Sequence, residues 1–238
     1  MKNHFRLDAI MEQILSPRFM QDRHQHRTEH MAAIRQRIQS HTAQALRAEH
    51  EHDLLHMREE EKIARDVYLQ LGERWALRPL VNISGAEQAH MDAIAALLTH
   101  YDLPDPAQGL AVGEFRTPDF QSLHNQLVER GLRSELDAIK VGLLIEELDI
   151  FDLVEARSRA RQPEILAVYD DLERGSRNHL RAFFRHLLRH RVCAAIPEPE
   201  RLRGRGLERA RRVLMGRMRQ DCAAAMAARV CSTMPLSA

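Results

Sequence analysis

Turn-forming residues are scarce in this sequence. Of its 238 residues, 10 are glycine and 9 are proline, and aromatic residues make up only 5%. β-Sandwiches and barrels need many turns and many β-branched and aromatic residues, so this composition argues against them. The hydrophobic fraction of 44% supplies a sizeable core, which argues against a wholly disordered chain. The composition favours an all-α fold with short connections between helices.

Cysteine and long apolar runs are also scarce. The three cysteines, Cys193, Cys222 and Cys231, are odd in number and form no CxxC pair, so we expect neither a disulfide framework nor a structural zinc knuckle. No apolar run reaches about 18 residues and the first 20 residues lack an apolar signal core, so we expect a cytoplasmic protein with no membrane partner. With 35 basic and 34 acidic residues, no overall positive field attracts nucleic acid.

The chain divides into three predicted regions. Residues 1–50 form a polar extension rich in histidine and arginine, residues 51–192 carry dense helical periodicity, and residues 193–238 are basic and amphipathic. The apolar residues of the first region predict a helix that lies on another part of the molecule: Met31, Ile34, Ile38 and Leu46. Eight arginines between 201 and 219 predict a basic helix that docks on the protein, with nucleic-acid binding as the alternative.

The periodicity of the middle region predicts four long helices, A to D. Their ranges are 51–72, 85–101, 134–160 and 163–190, with a short helical piece at 119–130. Helices A and B, and likewise C and D, are joined by short connections and are predicted to be antiparallel neighbours. The connection between B and C is long enough to travel the height of a bundle. Two hairpins joined by one long crossover form the ferritin-like arrangement.

Local signals predict where these helices begin. Ser84, with Glu87 three residues later, has the spacing of a capping box and predicts the start of helix B. Ser134 is the predicted N-cap of helix C, and Pro163 is predicted to lie in the first turn of helix D, where its missing N–H does no harm.

Several charged residues fall on the apolar faces of these helices. They are Glu61 on A, Glu87 and His90 on B, Glu146 on C and His179 on D. Burying an unpaired carboxylate costs several kcal/mol, and converging carboxylates repel one another unless a cation lies among them. Carboxylate together with imidazole suits iron or manganese. Because Glu87 and His90 are three apart and share a helix face, they can bind one metal site together.

Other acidic residues leave alternatives open. One of Glu146 and Glu147 is expected to point inward, and Glu146 is favoured, with Glu147 and Asp149 as reserve ligands. A further set of acidic residues is predicted to form a solvated face: Glu59, Glu60, Asp66 and Glu73.

These residues resemble a known group of proteins. The run EKIARDVY at 61–68 resembles the first-helix motif E-x-x-A-R-x-x-Y of rubrerythrin-type proteins, and Glu87-x-x-His90 is similar to their second-helix motif. Helix C adds Glu146-x-x-Asp149, close to the paired acids found there. Over about residues 51–190, the chain resembles an uncharacterised bacterial and archaeal ferritin-like family, known only as a domain of unknown function.

The resemblance implies a ferritin-like four-helix bundle that holds two metal ions, iron or alternatively manganese. The implied ligands are Glu61, Glu87, His90, Glu146, Glu147 and His179. One departure is that Ser176 stands where a symmetric site would have a second glutamate of a Glu-x-x-His pair. The implied chemistry is Fe(II) oxidation by O₂ or peroxide, or peroxide reduction, with an external electron donor. The alternative is a non-enzymatic helical scaffold that binds a partner or nucleic acid, and assembly into a homo-oligomer stays open.

Overall fold

The computed structural model describes residues 17–195 of the chain and the side chains of residues 25–190. These residues form six helices and no strand, so the all-α prediction is confirmed. The helices are α1 Pro17–Gln39, α2 Ala48–Trp75, α3 Arg78–His100, α4 Pro118–Gly131, α5 Glu135–Arg159 and α6 Pro163–Ala195. Helices α2, α3, α5 and α6 correspond to predicted helices A to D. Two compact units divide the chain, the first ending at Phe183 and the second beginning at Phe184, within α6.

The core of the first unit is built from apolar residues of five helices, α1, α2, α3, α5 and α6. Helix α1 packs on α3 and contributes Met31, Ile34 and Ile38, none of them more than 7% exposed. The prediction that this N-terminal segment carries a helix lying on another part of the molecule is confirmed for these three residues. It is wrong for Leu46, which lies in the connection between α1 and α2 and packs on the core from there. The predicted basic helix at 201–219 lies outside the described residues.

Helices α2 and α3 form a tight hairpin with only Ala76 and Leu77 between them. Helix α2 passes the predicted end at Gly72 and stops at Ala76, which has a left-handed backbone and donates its N–H to the Gly72 carbonyl. Helix α3 begins with Leu77 as its N-cap, so the capping role predicted for Ser84 is wrong. Ser84 lies within α3, where its hydroxyl donates a hydrogen bond to the Val81 carbonyl of the same helix. Pro79, in the first turn of α3 and five residues before Ser84, favours this earlier helix start.

Helices α5 and α6 begin where the capping serine and the proline of the sequence predict. Ser134 is the N-cap of α5, and its side chain accepts a hydrogen bond from the Asp137 N–H at 3.0 Å. Helix α5 ends at Arg159, and helix α6 begins at Pro163. Both predictions are confirmed.

The long connection between α3 and α5 includes α4 and is fastened to α2 by buried polar residues. Arg58 donates two hydrogen bonds to Asp105, at 2.9 and 2.8 Å. Glu59 accepts hydrogen bonds from the backbone and side chain of Thr117. Asp66 accepts from the Gly113 N–H at 2.9 Å. The residues between α3 and α4 therefore cover one face of α2.

This packing corrects the prediction of a solvated acidic face on α2. Glu59 and Asp66 are 4% and 0% exposed, because the connection between α3 and α4 lies over them. The Glu60 side chain is only 12% exposed, so its predicted solvation is wrong as well. Only the prediction for Glu73 holds, since that residue is exposed. Across the described part of the chain, no helix has the length and hydropathy needed to cross a membrane.

Candidate metal centre

Four helices each direct at least one potential metal ligand into the interior of the first unit. Helix α2 provides Glu61, α3 provides Glu87 and His90, α5 provides Glu146 and Asp149, and α6 provides His179. Glu61, Glu87 and Glu146 are each 1% exposed, and Asp149 is 5% exposed. Buried carboxylates at this density are rare in proteins, because each one loses its hydration.

Helical periodicity explains why these side chains share the interior with apolar residues. On α2, Met57, Glu61, Ala64 and Tyr68 follow one another at intervals of three and four residues, and all four are buried. Such intervals place side chains on one face of a helix. Glu87 and His90 on α3, and the two acids of α5, use the same three-residue interval. A single turn of each helix can therefore direct two polar groups to the same place.

The two histidines converge on Glu87 from different helices. His90 Nδ1 lies 2.9 Å from Glu87 Oε2 and 3.2 Å from Glu61 Oε2. His179 Nδ1 lies 2.9 Å from Glu87 Oε1 and 3.5 Å from Glu146 Oε2. The two imidazole rings are stacked, with centroids 5.4 Å apart. Glu87 therefore stands between the histidines, with a separate oxygen facing each one.

Several buried atoms of this cluster have no hydrogen-bond partner among the described residues. They are Glu61 Oε1, Glu87 Oε1, Asp149 Oδ1 and His179 Nδ1. The pair formed by Glu87 Oε1 and His179 Nδ1 is close, yet its geometry is not that of a hydrogen bond. Leaving a buried polar atom unsatisfied costs about 1–3 kcal/mol. A cation bound to these atoms would remove that cost.

Two hydroxyl groups border the carboxylates. Tyr68 donates a hydrogen bond of 2.7 Å to Glu146 Oε1, which fixes that carboxylate. The Ser176 hydroxyl is fully buried, donates to the Leu172 carbonyl at 3.0 Å and interacts with the Asp149 carboxylate. The structure thus places the Asp149 carboxylate beside the serine that departs from the Glu-x-x-His pattern.

The protonation of the metal-free cluster follows from burial and from these close contacts. Burial and the nearby Glu87 raise the pKa of Glu146 to about 8. Burial alone would lower the pKa of His179, but Glu87 and Glu146 outweigh it and raise the pKa to about 10. Burial alone would raise the pKa of Glu87, but His179 and His90 outweigh it and lower the pKa below its ordinary value. Protons therefore offset the carboxylate charge, and a metal ion would compete with them.

The structure brings together five of the six residues singled out from the sequence: Glu61, Glu87, His90, Glu146 and His179. Glu146 is the buried member of its pair, whereas Glu147 is half-buried on the adjacent face of α5. Three residues further along α5, the buried Asp149 interacts electrostatically with Glu61 and Glu146, as the three-residue spacing of Glu146-x-x-Asp149 indicates.

A second group of potential ligands, His56, Glu60 and Asp152, was not predicted. The available signal was the four-residue spacing of His56 and Glu60, which places both on one face of α2.

Comparison with known proteins places the chain in a family. The model of an uncharacterized protein domain, DUF2202, matches residues 50–194. The chain belongs to the DUF2202 family. The match contains every residue of the buried cluster, and it confirms the predicted membership of an uncharacterised family.

Proteins similar to this chain include an archaeal one. Uncharacterized protein MJ0754 of Methanocaldococcus jannaschii is 47% identical over 150 residues, which cover 63% of this chain and 81% of that protein. The fold is similar to the crystal structure of hypothetical protein MJ0754 from Methanococcus jannaschii, with a TM-score of 0.61 and 42% identity. That similarity covers 70% of this chain and 94% of the solved one.

Proposed function

We propose that this protein is a ferritin-like four-helix bundle whose buried cluster holds two metal ions, most suitably iron, for Fe(II)/O₂ or peroxide oxidoreductase chemistry. The observation that supports it is the convergence of buried carboxylates and imidazoles from four helices, with four of their atoms lacking any hydrogen-bond partner within the described part of the chain. The resemblance of the motif residues to rubrerythrin-type proteins supports the same proposal.

The charges of the cluster fit a pair of divalent cations. Glu61, Glu87, Glu146 and Asp149 carry four negative charges when ionised, and the two histidines are neutral when they bind metal. Two divalent ions would balance these four charges. Carboxylate oxygen and imidazole nitrogen together are ligands suited to iron and manganese, whereas copper(I) and iron–sulfur clusters require sulfur ligands.

The contacts of Glu87 suggest how the residues would share two ions. Because one Glu87 oxygen faces His90 and the other faces His179, this carboxylate is suited to bridge the ions. Glu61 and His90 would hold one ion, and Glu146 and His179 the other. Asp149 would supply the carboxylate that Ser176 cannot provide.

The surrounding residues would orient these ligands and keep water out. Tyr68 holds Glu146 through its hydrogen bond, and the Phe183 ring packs against Tyr68 with ring centroids 5.2 Å apart. Bound iron would supply one-electron redox chemistry toward O₂ or peroxide. The sequence has no CxxC pair, and electrons would come from Fe(II) itself or from another protein.

Metal counting tests the proposal. The full chain is loaded anaerobically with Fe(II), desalted and analysed by mass spectrometry beside a variant, Glu87→Gln with His90→Gln, called here the core variant. We expect the core variant to hold about two irons per chain fewer than the wild type, while His30→Gln, an exposed control on α1, matches the wild type. An equal iron content in the wild type and the folded core variant would overturn the proposal and favour the scaffold alternative. A difference of one iron would overturn the dinuclear assignment.

A further inference from the structure

A second cluster of potential metal ligands lies on α2 and α5 and shares no residue with the buried cluster. His56 and Glu60 are four residues apart on α2, and Asp152 lies on α5. One ligand atom from each of the three lies within 4.8 Å of the other two. One imidazole and two carboxylates from two helices form a ligand set suited to a divalent first-row metal ion.

The Glu60 carboxylate is largely buried and incompletely hydrogen-bonded. Its side chain is 12% exposed, and its Oε2 atom has no hydrogen-bond partner among the described residues. His56 Nε2 lies 3.7 Å from that oxygen. One carboxylate oxygen of Glu60 lies within 4.8 Å of one of Asp152. Two carboxylates this close repel each other unless a proton or a cation lies between them.

This second cluster opens to solvent. His56 is 40% exposed and, with Asp152, lines a surface cleft of about 420 Å³. The basic residue of the cleft, Arg159, is bound to Asp53 at 2.8 Å and to Glu155 at 3.0 Å. Its positive charge is therefore offset by those two carboxylates, and a cation from solvent can approach His56 and Asp152.

The second cluster also adjoins the buried one. Glu60 interacts electrostatically with Asp149 and Glu61, which belong to the buried centre. Carboxylates of α2 and α5 are therefore present both at the cleft and at the buried centre, with Glu60 interacting with both groups. We propose that His56, Glu60 and Asp152 form a second site for a divalent metal ion, at which the ion is held before it reaches the buried centre; this loading role rests on the function proposed above.

The binding site is tested with Mn(II), whose free form is counted by its electron paramagnetic resonance signal. In the full-length core variant, we expect about one Mn(II) to bind per chain. Adding Asp152→Asn or His56→Ala should weaken that binding by about tenfold or more. Glu155→Gln, which removes a charge from the same cleft, should bind as the core variant does. No binding by the folded core variant, or equal weakening by Glu155→Gln, would overturn the site.

The loading role is tested separately in the chain with an intact core. After Fe(II) is added anaerobically, samples are quenched with a chelator at set times and the chelator-resistant iron is counted. With His56→Ala we expect the same final iron content but loading slower by about tenfold, in line with loss of a ligand. An unchanged loading rate would overturn the loading role. If the proposed core centre does not exist, the wild type will hold no chelator-resistant iron. In that case the Mn(II) measurement in the core variant still tests the second site.

Discussion

Gly175 of α6 lies directly against the imidazole of His90 on α3. A Cβ atom built at Gly175 would lie 2.5 Å from His90 Nε2 and 2.8 Å from His90 Cε1, closer than side chains pack. The absence of a side chain at Gly175 therefore makes room for the ring of a proposed metal ligand.

Gly175→Ala should displace the His90 ring and impair the metal centre. We expect a loss of bound iron similar to that of the core variant and a free energy of unfolding lower by about 1–3 kcal/mol, the usual cost of overpacking. The matched control is Gly72→Ala, where an added Cβ would meet no atom closer than 3.6 Å. That variant should keep its iron and be as stable as the wild type or about 1 kcal/mol more stable. Retention of full iron content by Gly175→Ala would contradict this account of the site.

A buried ion pair fastens the connection between α3 and α4 to α2. Lys62 donates to Asp66 and to the Ala111 carbonyl, and it is 1% exposed. Lys62→Met should lower the free energy of unfolding by about 1–3 kcal/mol, because the buried Asp66 carboxylate loses one of its two cationic partners and keeps only Arg65, at 2.7 Å. Lys140→Met, which removes a half-exposed lysine from a pair with Asp137 at 3.4 Å, should cost at most about 0.5 kcal/mol. Denaturant titration measures both, and equal costs would show that the buried pair does not hold the connection.

The stability of the metal-free protein should fall as the pH rises. In the folded state the pKa of Glu146 is about 8 and that of His179 about 10, against ordinary values of 4.5 and 6.5. Both groups thus hold protons more tightly in the folded state, so each contributes stability that is complete below its ordinary pKa and lost as the pH rises through its folded pKa. Between pH 6.5 and 8 the stabilising contributions of Glu146 and His179 are both being lost. The thermal midpoint in the presence of a chelator should therefore decrease as the pH rises through this interval.

Glu146→Gln is the control for this pH dependence, because the amide does not titrate. It should show a shallower decrease over the same interval, and bound metal, which replaces the protons, should also reduce the decrease. A thermal midpoint of the metal-free wild type that is constant or rises over that interval would contradict the assigned protonation states.

The positions of the helices followed from sequence because helical periodicity and strong local signals agree. Ser134 and Pro163 begin their helices where predicted. The signal at Ser84 failed because capping-box spacing also occurs inside helices, and an earlier proline began α3. Local spacing alone does not distinguish these cases.

The inward direction of Glu61, Glu87 and His90 could also be predicted, since apolar neighbours at three- and four-residue intervals define the buried face. The burial of Glu59 and Asp66 could not. Periodicity tells which residues share a face but not what covers it, and the segment that covers these acids has no helical period. The pairing of Glu60 with Asp152 depends in the same way on contacts between helices distant in sequence.

The most direct measurement is anomalous diffraction at the iron edge from crystals of the full chain loaded anaerobically with Fe(II). The account predicts two peaks about 3.5–4 Å apart, within bonding distance of Glu87, with His90 at one and His179 at the other. A map from iron-loaded crystals with no anomalous peak among Glu61, Glu87, His90, Glu146 and His179 would contradict it.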